Sequence, residues 1–389
     1  MILQADWLET PFIKAVVAAL GAGNIKFVGG AVRDTMLELA VADIDAATTH
    51  KPTETMALLK AANIKVIPTG LKHGTVTAVQ GTETIEITTL RIDTETDGRH
   101  AEVAFTTDWL EDARRRDFTF NALYAAPSGK IFDPFEGVAD LKAGTVRFIG
   151  DAEMRIEEDA LRILRFFRFY GKYGKGRPNA RALAACHEKL GMLACLSVER
   201  VRDELLKILG QVNPVDVITL MERAGVLKNI FGAEYSSEKV ATFVAGENRL
   251  KSPINALVRL YLLAQPTVGA AAVARKFKLS NEQRQFLVKF ETMQGGASPN
   301  TQKEIHQAIY RFGADVVRAC AVCTEPAVFE QTIRICDSWH VPMLPVKGSD
   351  LLGLGWEPGP QMGQCLKGLE AHWIESDFNL SKAQLLEMI

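Results

Sequence analysis

Two aspartates one residue apart, Asp43 and Asp45 in the run DID, follow a glycine doublet, Gly29–Gly30, in the run GGAVRD. On an extended strand, side chains two apart project from one face, so both carboxylates point one way while Ile44 packs behind them. Such a pair suits Mg2+, which takes hard oxygen ligands and keeps several waters or phosphate oxygens. Asp43 and Asp45 are therefore the candidate metal ligands and catalytic carboxylates. An acid pair alone reads as readily as a solvated strand edge. The glycines change that balance. The apolar run Ile25 to Val28 ends at Gly29, and an amphipathic stretch follows, so backbone N–H groups at a strand-to-helix turn can approach a phosphate closely. Gly29, Gly30 and Arg33 are thus candidate nucleotide ligands, and the chemistry implied is in-line attack at phosphorus.

Three further runs carry polar groups at suggestive spacings. In RRRDFTFNA, Arg114 to Ala122, Arg116 can donate a fork of hydrogen bonds to phosphate or sugar oxygens and Asp117 can accept from hydroxyls. The same residues also suit a charged turn leading into an apolar strand, Phe118 to Ala125. In EEDALRILRFFRF, Glu157 to Phe169, Asp159 and Arg162 are three apart in a strongly helical pattern and share a face. One acceptor beside one donor fork matches the amino group and ring nitrogen shared by cytosine and adenine, and mismatches uracil and guanine. The stretch from Arg162 to Arg181, which includes Arg165 and Arg168, holds seven Arg or Lys and no acid, a field that attracts phosphate. Its interleaved aromatics, Phe166, Phe167, Phe169, Tyr170 and Tyr173, recur at helical spacing and read as core. TIEITTLR predicts an alternating strand with Ile85 and Ile87 on one face and Glu86, a candidate third carboxylate, on the other.

The GGAVRD and DID runs together resemble the signature of the nucleotidyltransferase superfamily that includes DNA polymerase beta. RRRDFTFNA resembles the RRDFT-x-N-A motif of the bacterial (class II) CCA-adding tRNA nucleotidyltransferases and their poly(A) polymerase relatives, with Phe120 where a smaller aliphatic residue is expected. DPFEGVADL (from Asp133), EEDALRILRFFRF, LSVERVRDELLKIL (from Leu196) and the glycine-rich run from Val346 to Glu370 look like further motifs of that family. The resemblance implies an α+β fold, a polymerase-beta-like head with a small sheet followed by an all-helical neck, body and tail. It implies stepwise addition of C, C and A from CTP and ATP to the tRNA 3′ end by two-metal transfer on Mg2+. It assigns Arg116, Asp117 and Asn121 to the nucleotide sugar and triphosphate, and Asp159 with Arg162 to base selection in place of a template. Arg165 and Arg168 join the nucleotide ligands, and Glu199 and Arg200 buttress the selecting helix. The polar stretch IDTETDGRHAEVAFT, Ile92 to Thr106, reads as a mobile loop, and in the family such a loop takes part in the step from C to A addition. A poly(A) polymerase, a CC-adding enzyme with a separate A-adding partner, and a non-catalytic RNA-binding descendant share the head motifs. The PTGLKHGT hairpin and the lack of a long basic carboxy-terminal extension lean against the first, and the intact carboxylates against the last.

A chain of 389 residues suits two to four domains. The expected organisation is a head at 1–150, a neck with the selecting helix at 151–213, a body at 214–297 and a tRNA-binding tail at 298–389. In the tail, Gly353, Gly355, Gly359 and Gly363 are expected at tight turns between helices. A net charge of −2 excludes a protein that grips nucleic acid over its whole surface, so RNA contact is local. No signal-type segment and no run approaching ~20 apolar residues is present, which predicts a cytoplasmic enzyme without a membrane partner. The lone CxxC, Cys320 and Cys323, reads as packing rather than zinc. Without a His-Asp doublet no attached phosphohydrolase domain is expected. The oligomeric state is not encoded in any of these features.

Overall fold

One mixed sheet carries the glycine turn and the acids. Its strands are β1 (Ile25–Val28), β2 (Ile44–Thr48), β3 (Lys65–Gly70), β4 (Thr75–Gln80) and β5 (Glu83–Thr89). A separate ribbon, β6 (Arg91–Thr96) with β7 (Ala101–Phe105), comes next, and β8 (Tyr124–Ala125) and β9 (Ile131–Phe132) return to the sheet. The sheet order is β3-β4-β5-β2-β1-β8-β9, antiparallel throughout except for the parallel pair β2–β5. The computed structural model describes residues 1–96, 101–232, 234–264 and 269–389, and the chain divides into two units, Met1–Ala233 and Glu234–Ile389.

Register decides which side of the sheet does chemistry. Phe27, Ala46, Ile87 and Val76 stand side by side on four strands, all buried, and form the apolar face. One residue along, Val28, Asp45 and Glu86 stand side by side on the opposite face. The period of two thus sets Ile85 and Ile87 inward and Glu86 outward, as the alternation predicts. β5 is a central strand.

In chain order the first unit's helices are α1 (Pro11–Leu20), α2 (Gly30–Met36), α3 (Pro52–Ala61), α4 (Trp109–Arg114), α5 (Gly137–Ala143), α6 (Ala152–Glu158), α7 (Leu161–Tyr173), α8 (Ala180–Glu188) and α9 (Val198–Leu209), followed by two short helices, Val215–Arg223 and Val226–Phe231. From Ala152 onward the described residues form no strand. α7 packs on α9, and its Phe166, Phe167, Phe169 and Tyr173 are buried, the core role expected for them. Phe120, larger than expected at its position, is buried in the same aromatic group, with its ring 5.5 Å from Phe169 and 5.9 Å from Tyr173.

Three expectations need correction. The segment read as a mobile loop is an antiparallel ribbon over β6 and β7, with Arg91 opposite Phe105; only 97–100 of it lie outside the described residues. The Asp43–Asp45 pair is split, because β2 begins at Ile44 and leaves Asp43 exposed ahead of the strand. Of the tail glycines, Gly363 lies inside the helix Pro360–Glu375 and Gly353 ends the helix Gly348–Gly353, while Gly355 takes a left-handed φ of 89° between them.

The second unit is helical, opening with α10 (Ser237–Leu250) and α11 (Ala256–Leu263), and a small core of Val346, Leu369, Trp373 and Leu385 closes its far end. Glu247 and Arg259 are both buried and paired, with Arg259 Nε donating to Glu247 Oε2 at 2.7 Å and Asn255 N donating to Oε1 at 2.8 Å. The pair pins α10 to α11. Replacing Glu247 by Ala removes the carboxylate that compensates the buried Arg259 guanidinium, an expected loss of about 3–5 kcal/mol, visible as a lowered thermal midpoint.

Candidate active site

The glycine turn is dictated by backbone conformation. Gly29 has φ 74° and ψ −125°, a region closed to side chains, and a Cβ there would lie 3.9 Å from Asp45 Oδ2. The turn therefore abuts the carboxylate. Arg33, on the helix that follows, is buried; its Nε donates to Asp34 at 2.9 Å and its guanidinium lies over the Tyr173 ring at 4.6 Å. Asp34 also accepts from Tyr173 Oη at 2.7 Å and Lys172 Nζ at 3.1 Å, so the start of the head is tied to the end of α7.

The RRRDFTFNA run forms neither the simple turn nor the strand that its charges allow. α4 ends at Arg114, a 3-10 turn spans Thr119–Ala122, and β8 begins only at Tyr124. Asp117 Oδ1 accepts from Phe118 N at 2.9 Å and Asn121 Nδ2 at 2.8 Å, and Oδ2 accepts from Arg165 Nε at 2.6 Å. Asn121 Oδ1 in turn accepts from Arg33 at 2.6 Å. Four predicted residues, Arg33, Asn121, Asp117 and Arg165, are thus one hydrogen-bonded chain from α2 to α7. Burial alone would raise the Asp117 carboxyl, but Arg165 and the bonds from Asn121 and Phe118 hold it below the usual carboxylate range.

The DPFEGVADL run supports this turn from behind. Asp133 accepts from Gly137 N and Val138 N at 2.7 and 3.0 Å, and Asp140 accepts from Thr119 Oγ1 at 2.6 Å and Arg147 Nε at 2.8 Å. A Cβ on Gly137 would meet Thr119 O at 2.3 Å, so only glycine permits the approach.

Asp159 is not on a helix with Arg162. It stands in the break between α6 and α7 with φ −154° and ψ 104°, and the turn is closed by Arg162 N donating to Asp159 O at 3.0 Å. The two side chains are held separately. Asp159 accepts from Leu161 N at 3.1 Å and from Arg200 at 2.8 Å, while Arg162 donates to Glu158 at 2.6 Å and to the carbonyls of Arg155 and Arg115. Arg200, expected to buttress the selecting helix, bonds Asp159 in the break ahead of it. Along α7 each arginine of the row Arg162, Arg165, Arg168 carries its own carboxylate: Glu158, Asp117 and Glu204, the last at 2.6 Å.

These groups line one cleft of about 590 Å³, with eight arginines against three aspartates, Asp45, Asp117 and Asp159. Gly29, Gly30, Arg33, Arg116, Asn121, Arg162, Arg165 and Arg168 all line it; Asp43 and Glu86 lie outside the lining and are exposed. Among the described residues the side chains of Asp43, Asp45 and Glu86 make no hydrogen bond or ion pair, and no three His, Cys, Asp or Glu converge as a finished ligand shell. Burial first, then Glu86 and, less strongly, Asp43 push the Asp45 carboxyl above its ordinary range, against the pull of Arg116 and Arg33. A carboxylate without a hydrogen bond or ion pair of its own among the described residues, facing a phosphate-sized cleft, fits a divalent cation. Sequence reasoning missed Asp112, Asp34, Glu158 and Glu204; for Asp112 and Glu158 the helical spacing to Arg115, Arg116 and Arg162 was a usable signal.

A glycine turn, a carboxylate at the mouth of a parallel strand pair and an arginine-lined cleft define a nucleotidyltransferase head, here followed by helices. Residues 25–147 match the family described as "Poly A polymerase head domain", and 179–235 that described as "Probable RNA and SrmB- binding site of polymerase A". Mitochondrial CCA tRNA nucleotidyltransferase 1 of Mus musculus is 36% identical across 100% of this chain and 93% of that protein. The CCA-adding enzyme of Leuconostoc citreum is 31% identical across 93% of this chain and 90% of its own length. The crystal structure of the Bacillus stearothermophilus CCA-adding enzyme in complex with CTP superposes with a TM-score of 0.78 at 25% identity, covering 97% of this chain and 98% of that one. The chain belongs to the family of CCA-adding tRNA nucleotidyltransferases.

Proposed function

We propose that this enzyme adds C, C and A in turn to the 3′ end of tRNA, from CTP and ATP, releasing pyrophosphate. The observation that carries the reading is the single cleft that joins Asp45 and the Gly29–Gly30 turn to Asp159 and Arg162. The groups assigned to the phosphates and those assigned to the base thereby share one cleft.

In this reading the triphosphate lies against the arginines, with the Gly29–Gly30 backbone amides at its oxygens. Asp117 and Asn121 face the sugar; their mutual bond and the ties to Arg33 and Arg165 fix them before substrate arrives. Asp159 accepts the amino group and Arg162 donates to the ring nitrogen of cytosine or adenine. Asp43 and Asp45, with Glu86 as a third candidate, would hold Mg2+. The metal would supply Lewis-acid activation of the 3′-hydroxyl and charge neutralisation on the leaving pyrophosphate. We assign residues 1–150 as head, 151–213 as neck, 214–297 as body and 298–389 as the tRNA-binding tail; the end of the strands before Ala152 supports the first of these boundaries. A cytoplasmic location is supported by six free thiols. No helix among the described residues is long and apolar enough to cross a membrane.

The test is extension of a tRNA lacking CCA, resolved at single-nucleotide length. We expect two additions with CTP and Mg2+, and a third only when ATP is also present. A long ladder from ATP alone would identify a poly(A) polymerase instead, a stop after two additions with both nucleotides a CC-adding enzyme, and no extension a non-catalytic binder.

A further inference from the structure

We infer that Asp112, which lies behind the cleft rather than in its lining, is the positioning residue for the arginines that face the triphosphate. The inference rests on the reading of the cleft given above. Asp112 lies on α4, three and four residues before Arg115 and Arg116, and is 1% exposed. Its Oδ1 accepts from Arg115 Nε at 2.9 Å and from the backbone N of Arg91 at 3.2 Å. Its Oδ2 accepts from Tyr124 Oη at 2.6 Å and from an Arg116 terminal nitrogen at 3.3 Å. Tyr124 Oη closes the ring by accepting from Arg116 Nε at 3.0 Å. Burial pushes the Asp112 carboxyl up, but Arg116 and then Arg115 bring it below the ordinary range, so it is an anion at neutral pH.

Two cleft-lining guanidiniums, those of Arg115 and Arg116, and the backbone of a third lining residue, Arg91, are therefore held by one carboxylate. The need for such an anchor follows from where the arginines stand. α4 stops at Arg114, so Arg115 and Arg116 leave the helix with long side chains that would otherwise sample many rotamers. Each guanidinium has five N–H donors, and the bonds to Asp112 and Tyr124 use only part of that set. The remaining donors are held in a fixed orientation, a grip formed before the nucleotide arrives. Arg91 opens β6, so the same carboxylate also fixes where the β6–β7 ribbon leaves the sheet.

The experiment is equilibrium binding without tRNA, comparing CTP with cytidine, on the full chain and on Asp112→Asn, Tyr124→Phe and Arg116→Ala, with thermal midpoints recorded for each. Tyr124→Phe removes one oxygen from a fully buried ring and keeps the test valid should Asp112→Asn fold poorly. We expect Asp112→Asn and Tyr124→Phe each to weaken CTP about tenfold, with cytidine affinity unchanged, because only phosphate contacts depend on the anchored guanidiniums. Equal loss for CTP and cytidine would reduce Asp112 to a stabiliser of the fold and overturn the inference. So would full CTP affinity in both variants while Arg116→Ala weakens CTP. If Arg116→Ala itself leaves CTP binding intact, the assignment of the cleft to the triphosphate fails instead, and the inference with it.

Discussion

Replacing Asp45 by Asn is expected to abolish nucleotidyl transfer and to stabilise the metal-free protein in the same stroke. The carboxylate sits at the cleft mouth beside the Gly29–Gly30 turn, beyond any hydrogen bond or ion pair among the described residues. Loss of a charged metal ligand removes several kcal/mol of transition-state stabilisation, so the rate should fall roughly 10³-fold or more. Stability moves the other way. Because burial, then Glu86 and Asp43, raise the folded-state pKa of Asp45, the folded protein binds this proton more tightly than the unfolded chain does. Ionisation therefore costs stability as pH rises above the unfolded value of about 3.9, and the cost is complete above the folded pKa. At neutral pH Asn escapes it. The thermal midpoint of Asp45→Asn without metal should exceed that of the parent, and the gap should vanish in acid. Saturating Mg2+ should reverse the order, since binding at ~100 times Kd adds about 2.7 kcal/mol to the parent alone. An Asp45→Asn protein that is less stable without metal, or equally stabilised by Mg2+, would refute the assignment of this carboxylate to the metal.

Which parts of the cleft were visible in the sequence follows from how near in the chain each residue finds its partners. Gly29–Gly30, Arg116, Asp117 and Asn121 were legible as cleft residues because part of their geometry is set locally: a left-handed φ at Gly29, and a turn in which Asp117 bonds residues one and four further on. Asp34 and Glu204 act through partners far along the chain, Asp34 through Tyr173 and Glu204 through Arg168. No spacing rule announces such pairs. Asp159 was assigned to a helix face because the apolar period of α7 was extended back across it, whereas its extended backbone breaks the helix and is held there by Leu161 N and Arg200. The ribbon β6–β7 was read as a loop because it lacked a 3.6-residue period. The β-branched alternation Ile92, Thr94, Thr96 carried a period of two instead. The split of the acid pair has a similar origin: spacing shows which faces two residues would share on a strand, but the first backbone pairing decides where the strand begins.

Replacing both Asp159 and Arg162 by Ala is expected to cost the enzyme its choice of base more than its ability to transfer. Each side chain is already bonded to protein, Asp159 to Arg200 and Arg162 to Glu158, so neither needs to be ordered by the nucleotide. A preset acceptor beside a preset donor penalises uracil twice. Its carbonyl would face the Asp159 carboxylate and its N–H the Arg162 guanidinium, leaving both charged groups mismatched against the base. At about 1.5–3 kcal/mol for each charged hydrogen bond, the pair in its proposed role would give a preference of roughly 10²–10⁴ for CTP over UTP. Without the two side chains the mismatch disappears, and the ratio of kcat/KM for CTP to that for UTP should fall to within about tenfold of unity. The triphosphate grip through Arg116 and Arg165 stays, so incorporation of any one nucleotide should slow less than the selectivity falls. Because Arg162 also bonds the carbonyls of Arg155 and Arg115, a milder variant is needed beside the double one. Asp159→Asn retains an acceptor oxygen and adds a donor, so it should admit UTP while leaving the melting midpoint nearly unchanged. Discrimination against UTP that survives both variants would place base selection elsewhere in the cleft.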